Sequence, residues 1–272
     1  MKREEINVLI VRVGGTNCDL ETKRAFEASN MNAKIVHFNQ LYNEIDLFDY
    51  DVFVIPGGFS YGDYVRAGAI WAKQLMAKLD KKIRRFVEEE RPILGICNGF
   101  QVLVEAGLLP CIDGISMVPE AVLGPNVPLG FSCRWTYLVP ESQDRCVFTQ
   151  EISSNSVLRI PIAHAEGRFI PSSKDGQKQL DRLEENKQII LRYCFRNGDV
   201  ANGKYPSNPN GSINDIAGIS SPSGTTLGLM PHPERAYFGW QLPDWTRSTE
   251  PSIFGDGRLI FESVAEYLTR KF

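Results

Sequence analysis

Long hydrophobic runs are missing from this 272-residue chain. None approaches the roughly 20 apolar residues that a bilayer-spanning helix needs. The N-terminus, MKREEINVLIV, sets charges ahead of an apolar stretch too short and too β-branched for a signal peptide. Charge of one sign is missing as well. A net charge of -3 leaves no basic surface for nucleic acid. The basic cluster Lys81-Lys82-Ile83-Arg84-Arg85 runs into Glu88-Glu89-Glu90 and reads as a solvated helix face. The six cysteines, Cys18, Cys97, Cys111, Cys133, Cys146 and Cys194, include no C-x-x-C pair, so no metal site is expected. A chain of this length does not need disulfides to fold. There is no internal repeat, no break in composition and no ATP-binding motif. The expectation is a soluble, reduced, cytoplasmic protein whose residues 1–272 form a single domain.

What is present suits a large core, with 43% hydrophobic residues. The first hundred residues alternate two periodicities. INVLIVRV (6–13), AKIVHF (33–38), DVFVI (51–55) and PILGI (92–96) read as strands. LETKRAFEASN (20–30) and a long stretch ending near Glu90 read as helices. Continuous apolar strands alternating with helices predict an α/β fold, a mostly parallel sheet covered on both faces. The second half is richer in strands, at 134–139, 188–194, 215–220 and 225–230, and closes with a helix over 258–268. Between two of these strands lies NGDVANGKYPSNPNGSIN, whose composition predicts a mobile or functional loop.

The stretch RPILGICNGFQVLVEAGLLP places Cys97 where a buried strand gives way to a helix. A cysteine there is either a small hydrophobe filling a tight corner or a thiol held out for chemistry. The corner lifts a side chain clear of the sheet, and the N-terminus of the following helix favours negative charge. Gly95 and Gly99 flank it, in the manner of a nucleophile elbow with cysteine in place of serine. A base must then be found among three histidines. His37 reads as an ordinary strand residue. His232 lies in GLMPHPERA, where Glu234 is two residues on and prolines fix both flanks, so a carboxylate can orient the imidazole. His164, with Glu166 at the same spacing, is the rival base. Cys18 stands in a glycine loop at a strand end and mimics Cys97, but no G-x-Q follows it, and a structural role is expected.

With these residues in view, the sequence resembles class I glutamine amidotransferases. Gly95, Cys97, Gly99 and Gln101 match the motif G-x-C-x-G-x-Q, His232-Pro233-Glu234 matches H-P-E, and Pro56-Gly57-Gly58 matches the oxyanion loop. PGGFSYGDYVRAG, the CRW at 133–135, PIAHAEGRF at 161–169 and YPSNPNGSINDIAGISSPSGTTLGLMPHPERA narrow the resemblance to glutaminase subunits of phosphoribosylformylglycinamidine synthases, over most of residues 6–238. Residues 238–258 look like an addition. The resemblance implies a flavodoxin-like fold with an added antiparallel part. It implies a triad of Cys97, His232 and Glu234, with oxyanion donors at the backbone of Gly58 and Asn98. Gln101, one turn after the nucleophile, is expected at the amino-acid end of L-glutamine, with Arg134 and His164 on the substrate or partner side. It implies no cofactor on this chain, and ATP and Mg²⁺ on a large synthetase subunit, with a small third subunit in the same complex. Two other readings stay open here: a class I glutaminase serving a different ammonia acceptor, and a same-fold protein or silent interaction module without glutaminase activity.

Overall fold

The computed structural model describes residues 1–171, 176–247 and 252–271. In chain order the first half runs β1 (Asn7–Arg12), α1 (Asp19–Ala28), β2 (Asn32–His37), α2 (Phe38–Asn43), β3 (Val52–Ile55), α3 (Ala69–Glu88), β4 (Ile93–Ile96) and α4 (Asn98–Glu105). The second half adds β5 (Ala121–Pro125), β6 (Ser132–Pro140), β7 (Leu158–His164), β8 (Glu166–Pro171), α5 (Gly176–Glu185), β9 (Ile189–Cys194), β10 (Ile216–Ser220), β11 (Thr226–Leu229) and α6 (Arg258–Lys271).

The main sheet has nine strands in the order β2-β1-β3-β4-β11-β10-β9-β6-β7. From β2 to β11 neighbouring strands are parallel, and from β11 to β7 they are antiparallel. The parallel part has the flavodoxin-like order, in which ligands bind beyond the carboxyl ends of the strands. Its strands are apolar throughout because helices flank it: every residue of β3 is fully buried, as are Val8 to Val11 of β1. The antiparallel half is the expected strand-rich addition, and β5 and β8 pair in a separate small sheet.

Helix α3 explains the basic cluster. Trp71, Leu75, Met76, Leu79, Ile83 and Phe86 form its buried stripe, while Arg84–Asp80 and Arg85–Glu89 pair one turn apart on the solvent side. Helix α1 packs with α6, where Phe26 meets Phe261 edge to face at 4.9 Å, and α3 packs with α4.

The Asn-rich loop is held by its own side chains. Asn208, Asn210, Ser212 and Asp215 are buried. Asn208 Nδ2 donates to Asp215 Oδ1 at 2.7 Å, and Asn210 Nδ2 donates to the Gly167 carbonyl at 2.8 Å. The asparagines that suggested mobility supply the hydrogen bonds that order the loop. The added segment after Phe238 also has a place. Phe238 stacks on Trp240 at 4.2 Å, and Gln241 Nε2 donates to the Glu234 carbonyl at 3.0 Å, behind the H-P-E turn. Its residues 248–251 lie outside the described residues.

At the junction of β4 and α4, Gly99 passes so close to β3 that an added Cβ would stand 1.9 Å from the Ile55 carbonyl oxygen. Backbone must move to admit it. Gly99→Ala should therefore cost about 2 kcal/mol or more in urea unfolding, at the upper part of the range for overpacking. A loss below about 0.5 kcal/mol, the level of a neutral surface change, would contradict the packing described.

Candidate active site

Four loops meet beyond the carboxyl ends of parallel strands: Val13–Cys18 after β1, Pro56–Gly58 after β3, Cys97 after β4 and Met230–Glu234 after β11. Residues far apart in sequence converge there because the strand order places these ends side by side. Cys97 has φ 51° and ψ -104°, outside the ordinary regions for a residue with a Cβ. Such a conformation costs on the order of 1–3 kcal/mol and persists only where its surroundings enforce it. Those surroundings are visible. The Cys97 amide donates to the Leu229 carbonyl at 2.8 Å, and the glycines at 95 and 99 leave room for the turn. The thiol is buried, with the Ala163 carbonyl of β7 3.7 Å from Sγ.

His232 and Glu234 are both buried, and His232 Nδ1 lies 2.6 Å from Glu234 Oε1. The carboxylate fixes a proton on Nδ1, which leaves Nε2 as the basic nitrogen. The His232 amide donates to the Pro161 carbonyl of β7 at 2.8 Å and anchors the turn. Burial alone would push the imidazole pKa down. The Glu234 carboxylate and the Cys97 sulfur outweigh it and hold His232 well above its ordinary value.

The oxyanion turn is bracketed by contacts. A Cβ on Gly57 would stand 2.7 Å from His232 Cε1, and the Ser60 amide donates to Asn98 Oδ1 at 3.2 Å. Gly58 lies between these two fixed points. The antiparallel bridge from this turn to the first loop uses the Phe59 amide, which donates to Gly15, and the Cys18 amide, which donates to Gly57. Cys97, His232, Glu234, Gly58 and Asn98 are thus gathered in one place.

Three other sequence-derived residues sit differently. Gln101 is 4% exposed, and both ends of its amide are engaged. Its Oε1 accepts from Asn98 Nδ2 and its Nε2 donates to the Glu166 carbonyl. These bonds tie the elbow to β8. Arg134 turns to Tyr205, donating to its hydroxyl at 2.8 Å with the guanidinium over the ring. His164 is buried, not at the surface. Asn126 Oδ1 accepts from the Gly167 amide at 3.1 Å and from His164 Nδ1 at 3.0 Å, so His164 carries its proton on Nδ1. Burial and the neighbouring positive His232 lower its pKa from 6.5 to about 3.

Sequence reading missed two features. Asn126 had no recognisable motif. Cys18, expected to be structural, packs beside the catalytic-type pair: Cys18, His232 and Glu234 offer ligand atoms all within 4.8 Å of one another. Only the parallel strand order, which joins residue 18 to residue 232, reveals this.

Comparison with known proteins identifies the family. Residues 5–268 match the CobB/CobQ-like glutamine amidotransferase domain. The chain belongs to this amidotransferase family. A phosphoribosylformylglycinamidine synthase subunit PurQ from Archaeoglobus fulgidus is 45% identical over 99% of this chain and all of its own length. That of Methanothrix thermoacetophila is 42% identical over 98% of this chain and 99% of its own. A chain of the PurLQS structure from Thermotoga maritima superposes with a TM-score of 0.73 at 32% identity, covering 97% of this amidotransferase and 99% of that chain.

The two buried histidines predict a pH signature. With a folded pKa of about 3 against 6.5, His164 stays neutral where the unfolded chain gains a proton. Folding stability therefore falls as pH drops through the interval from 6.5 toward 3. His232 is shifted upward, so its linkage acts above 6.5 and does not enter that interval. His164→Asn should flatten the fall in urea midpoint between about pH 6 and pH 4. An unchanged slope would contradict a neutral buried His164.

Proposed function

We propose that this chain is the glutaminase subunit of a phosphoribosylformylglycinamidine synthase. It hydrolyses L-glutamine through a thioester on Cys97. The ammonia passes to a synthetase subunit that uses ATP and Mg²⁺ to convert formylglycinamide ribonucleotide to formylglycinamidine ribonucleotide. One observation carries this reading: the strained Cys97 elbow faces a buried His232–Glu234 pair in a chain that matches PurQ proteins along nearly its whole length.

The chemistry follows from the residues. His232 Nε2 takes the Cys97 proton, and the thiolate attacks the side-chain carbonyl carbon of glutamine. Negative charge moves to the carbonyl oxygen, where the backbone N–H groups of Gly58 and Asn98 stabilise it, each worth roughly 3 kcal/mol. His232 returns the proton to the nitrogen, the C–N bond breaks and ammonia leaves. Water, deprotonated by the same imidazole, then cleaves the thioester to give glutamate and the free thiol. Glu234 holds the ring and stabilises its protonated form through both steps. His164 is no rival as the base, since burial and the neighbouring His232 lower its pKa to about 3, far below the working range.

A partner surface is supported by the exposed apolar residues Tyr64, Val65, Val127, Leu129 and Phe131 on loops around this end of the sheet. We place the synthetase subunit there, with a small third subunit in the same assembly, and the whole in the cytoplasm. Among the described residues no helix is long and apolar enough to cross a membrane.

The test is made in the assembled synthase. Cys97→Ala should abolish glutamine-dependent product formation and leave ammonia-dependent formation intact. His232→Ala should lose glutaminase activity by a similar factor, because triad members act as a unit. His164→Asn should cost far less. Glutamine-dependent turnover by the Cys97 variant, or a larger loss from His164→Asn than from His232→Ala, would contradict the assignment.

A further inference from the structure

The pair His232–Glu234 has a third neighbour that the hydrolysis does not use. Cys18 is buried at the end of the loop after β1, directly before α1. Its sulfur, a His232 nitrogen and a Glu234 carboxylate oxygen lie within 4.8 Å of one another. Gly57 borders both the sulfur and the Nδ1–Cε1 edge of the ring. A Cβ on Gly57 would be 3.1 Å from Cys18 Sγ, 2.7 Å from His232 Cε1 and 3.3 Å from Nδ1. The spot where sulfur and ring edge converge therefore stays open because residue 57 is glycine. The second Glu234 oxygen, Oε2, is buried and has no hydrogen-bond partner.

We propose that Cys18, His232 and Glu234 form an inhibitory site for a borderline-soft divalent cation, with Zn²⁺ as its representative. Thiolate, imidazole and carboxylate are the donors such an ion takes, and three protein ligands leave a fourth position for water. Donors in a tetrahedral zinc site stand about 3.5 Å apart, given bonds of roughly 2.0–2.3 Å. The three side chains reach this from their present positions by shifts of about 1 Å or less. The surrounding charge suits the ion. Burial pushes the Cys18 thiol pKa up, and Arg235, whose Nη2 donates to Sγ at 3.1 Å and whose guanidinium pairs with Glu21 at 2.8 Å, offsets part of that rise. With Zn²⁺ in place, the metal and Arg235 together match the charges of the thiolate, Glu234 and Glu21.

The ion binds at Nδ1, the proton that stood there moves to Nε2, and the Cys18 thiol proton leaves to solvent. The one proton left on the neutral ring must then sit on Nε2, so Nε2 cannot accept the proton of Cys97. The metal holds the ring in the unproductive tautomer without touching the nucleophile. This inhibitory consequence rests on the proposed role of His232 as base; the binding itself does not.

The experiment titrates the full chain with Co²⁺ and follows the near-ultraviolet thiolate-to-cobalt charge-transfer absorption, with Zn²⁺ as competitor. Wild type and Cys97→Ala should both show the band, and Zn²⁺ should abolish it. Cys18→Ser should lose it or bind about tenfold more weakly or worse. No band in the wild type, its survival at full affinity in Cys18→Ser, or its loss in Cys97→Ala would overturn the site. If Cys18→Ser fails to fold by circular dichroism, a zinc-soaked wild-type crystal decides. An anomalous peak among Cys18 Sγ, His232 Nδ1 and Glu234 supports the site, and no peak there refutes it. Chelator-reversible loss of glutaminase activity in parallel supports the tautomer lock. Metal bound at these ligands with undiminished hydrolysis would leave the site standing and overturn His232 as the base.

Discussion

The turn at Cys97 is the constraint around which the rest is arranged. A residue with a Cβ adopts φ 51° there because β4 must pass into α4 within one residue while remaining in register with β3 and β11. The turn exists only because its neighbours are small: Gly99 lies against the Ile55 carbonyl, and Gly95 against Leu103 and Gly99. It sets the thiol at the head of helix α4, directly before Asn98. Asn98 then extends the order outward, accepting from the Ser60 amide and donating to Gln101, which is tied to β8. The Cys97 elbow, the Pro56–Gly58 turn and the small β5–β8 sheet are linked through one junction.

Electrostatics separates two histidines that sequence alone could not rank by chemistry. Both are buried, and burial lowers both pKa values. His232 has a carboxylate on Nδ1 and a sulfur nearby, and is held high. His164 has only a neutral amide on Nδ1 and a positive neighbour in His232, and is driven low. The H-x-E spacing is the same in both. What differs is that Glu234 folds back on its histidine, whereas Glu166 turns to accept from the Ala67 amide at 3.0 Å.

Much of the parallel half was legible in the sequence because its signals are local: apolar runs, helical stripes and glycine turns coincide with β1, β3, β4, α3 and α4. The grouping of Cys97 with the His232–Glu234 pair was legible for the same reason, since each sits in a short motif of recognisable spacing. Strand β7 was not, because LRIPIAH contains a proline, which suits it only as the edge strand it proves to be. Helix α5 was hidden by the polarity of GQKQLDRLEE, of which only Gln179, Leu180 and Leu183 are buried. For the loop ending at Asn214, asparagine and proline content reported turns and left open whether the turns are tied down. The surroundings of Gln101 and Cys18 were hidden for a shared reason. Their partners come from β8 and from the turn after β11, contacts of long sequence separation that no local pattern announces.

The central claim is that the elbow thiol, and not the thiol beside the histidine, attacks glutamine. The direct measurement is mass-spectrometric peptide mapping of the wild-type chain, assembled with its partner, after reaction with a glutamine-derived electrophile such as a diazo-ketone analogue. The account predicts a single adduct, on Cys97, blocked by excess L-glutamine. An adduct on Cys18, or labelling that glutamine does not protect against, would contradict it.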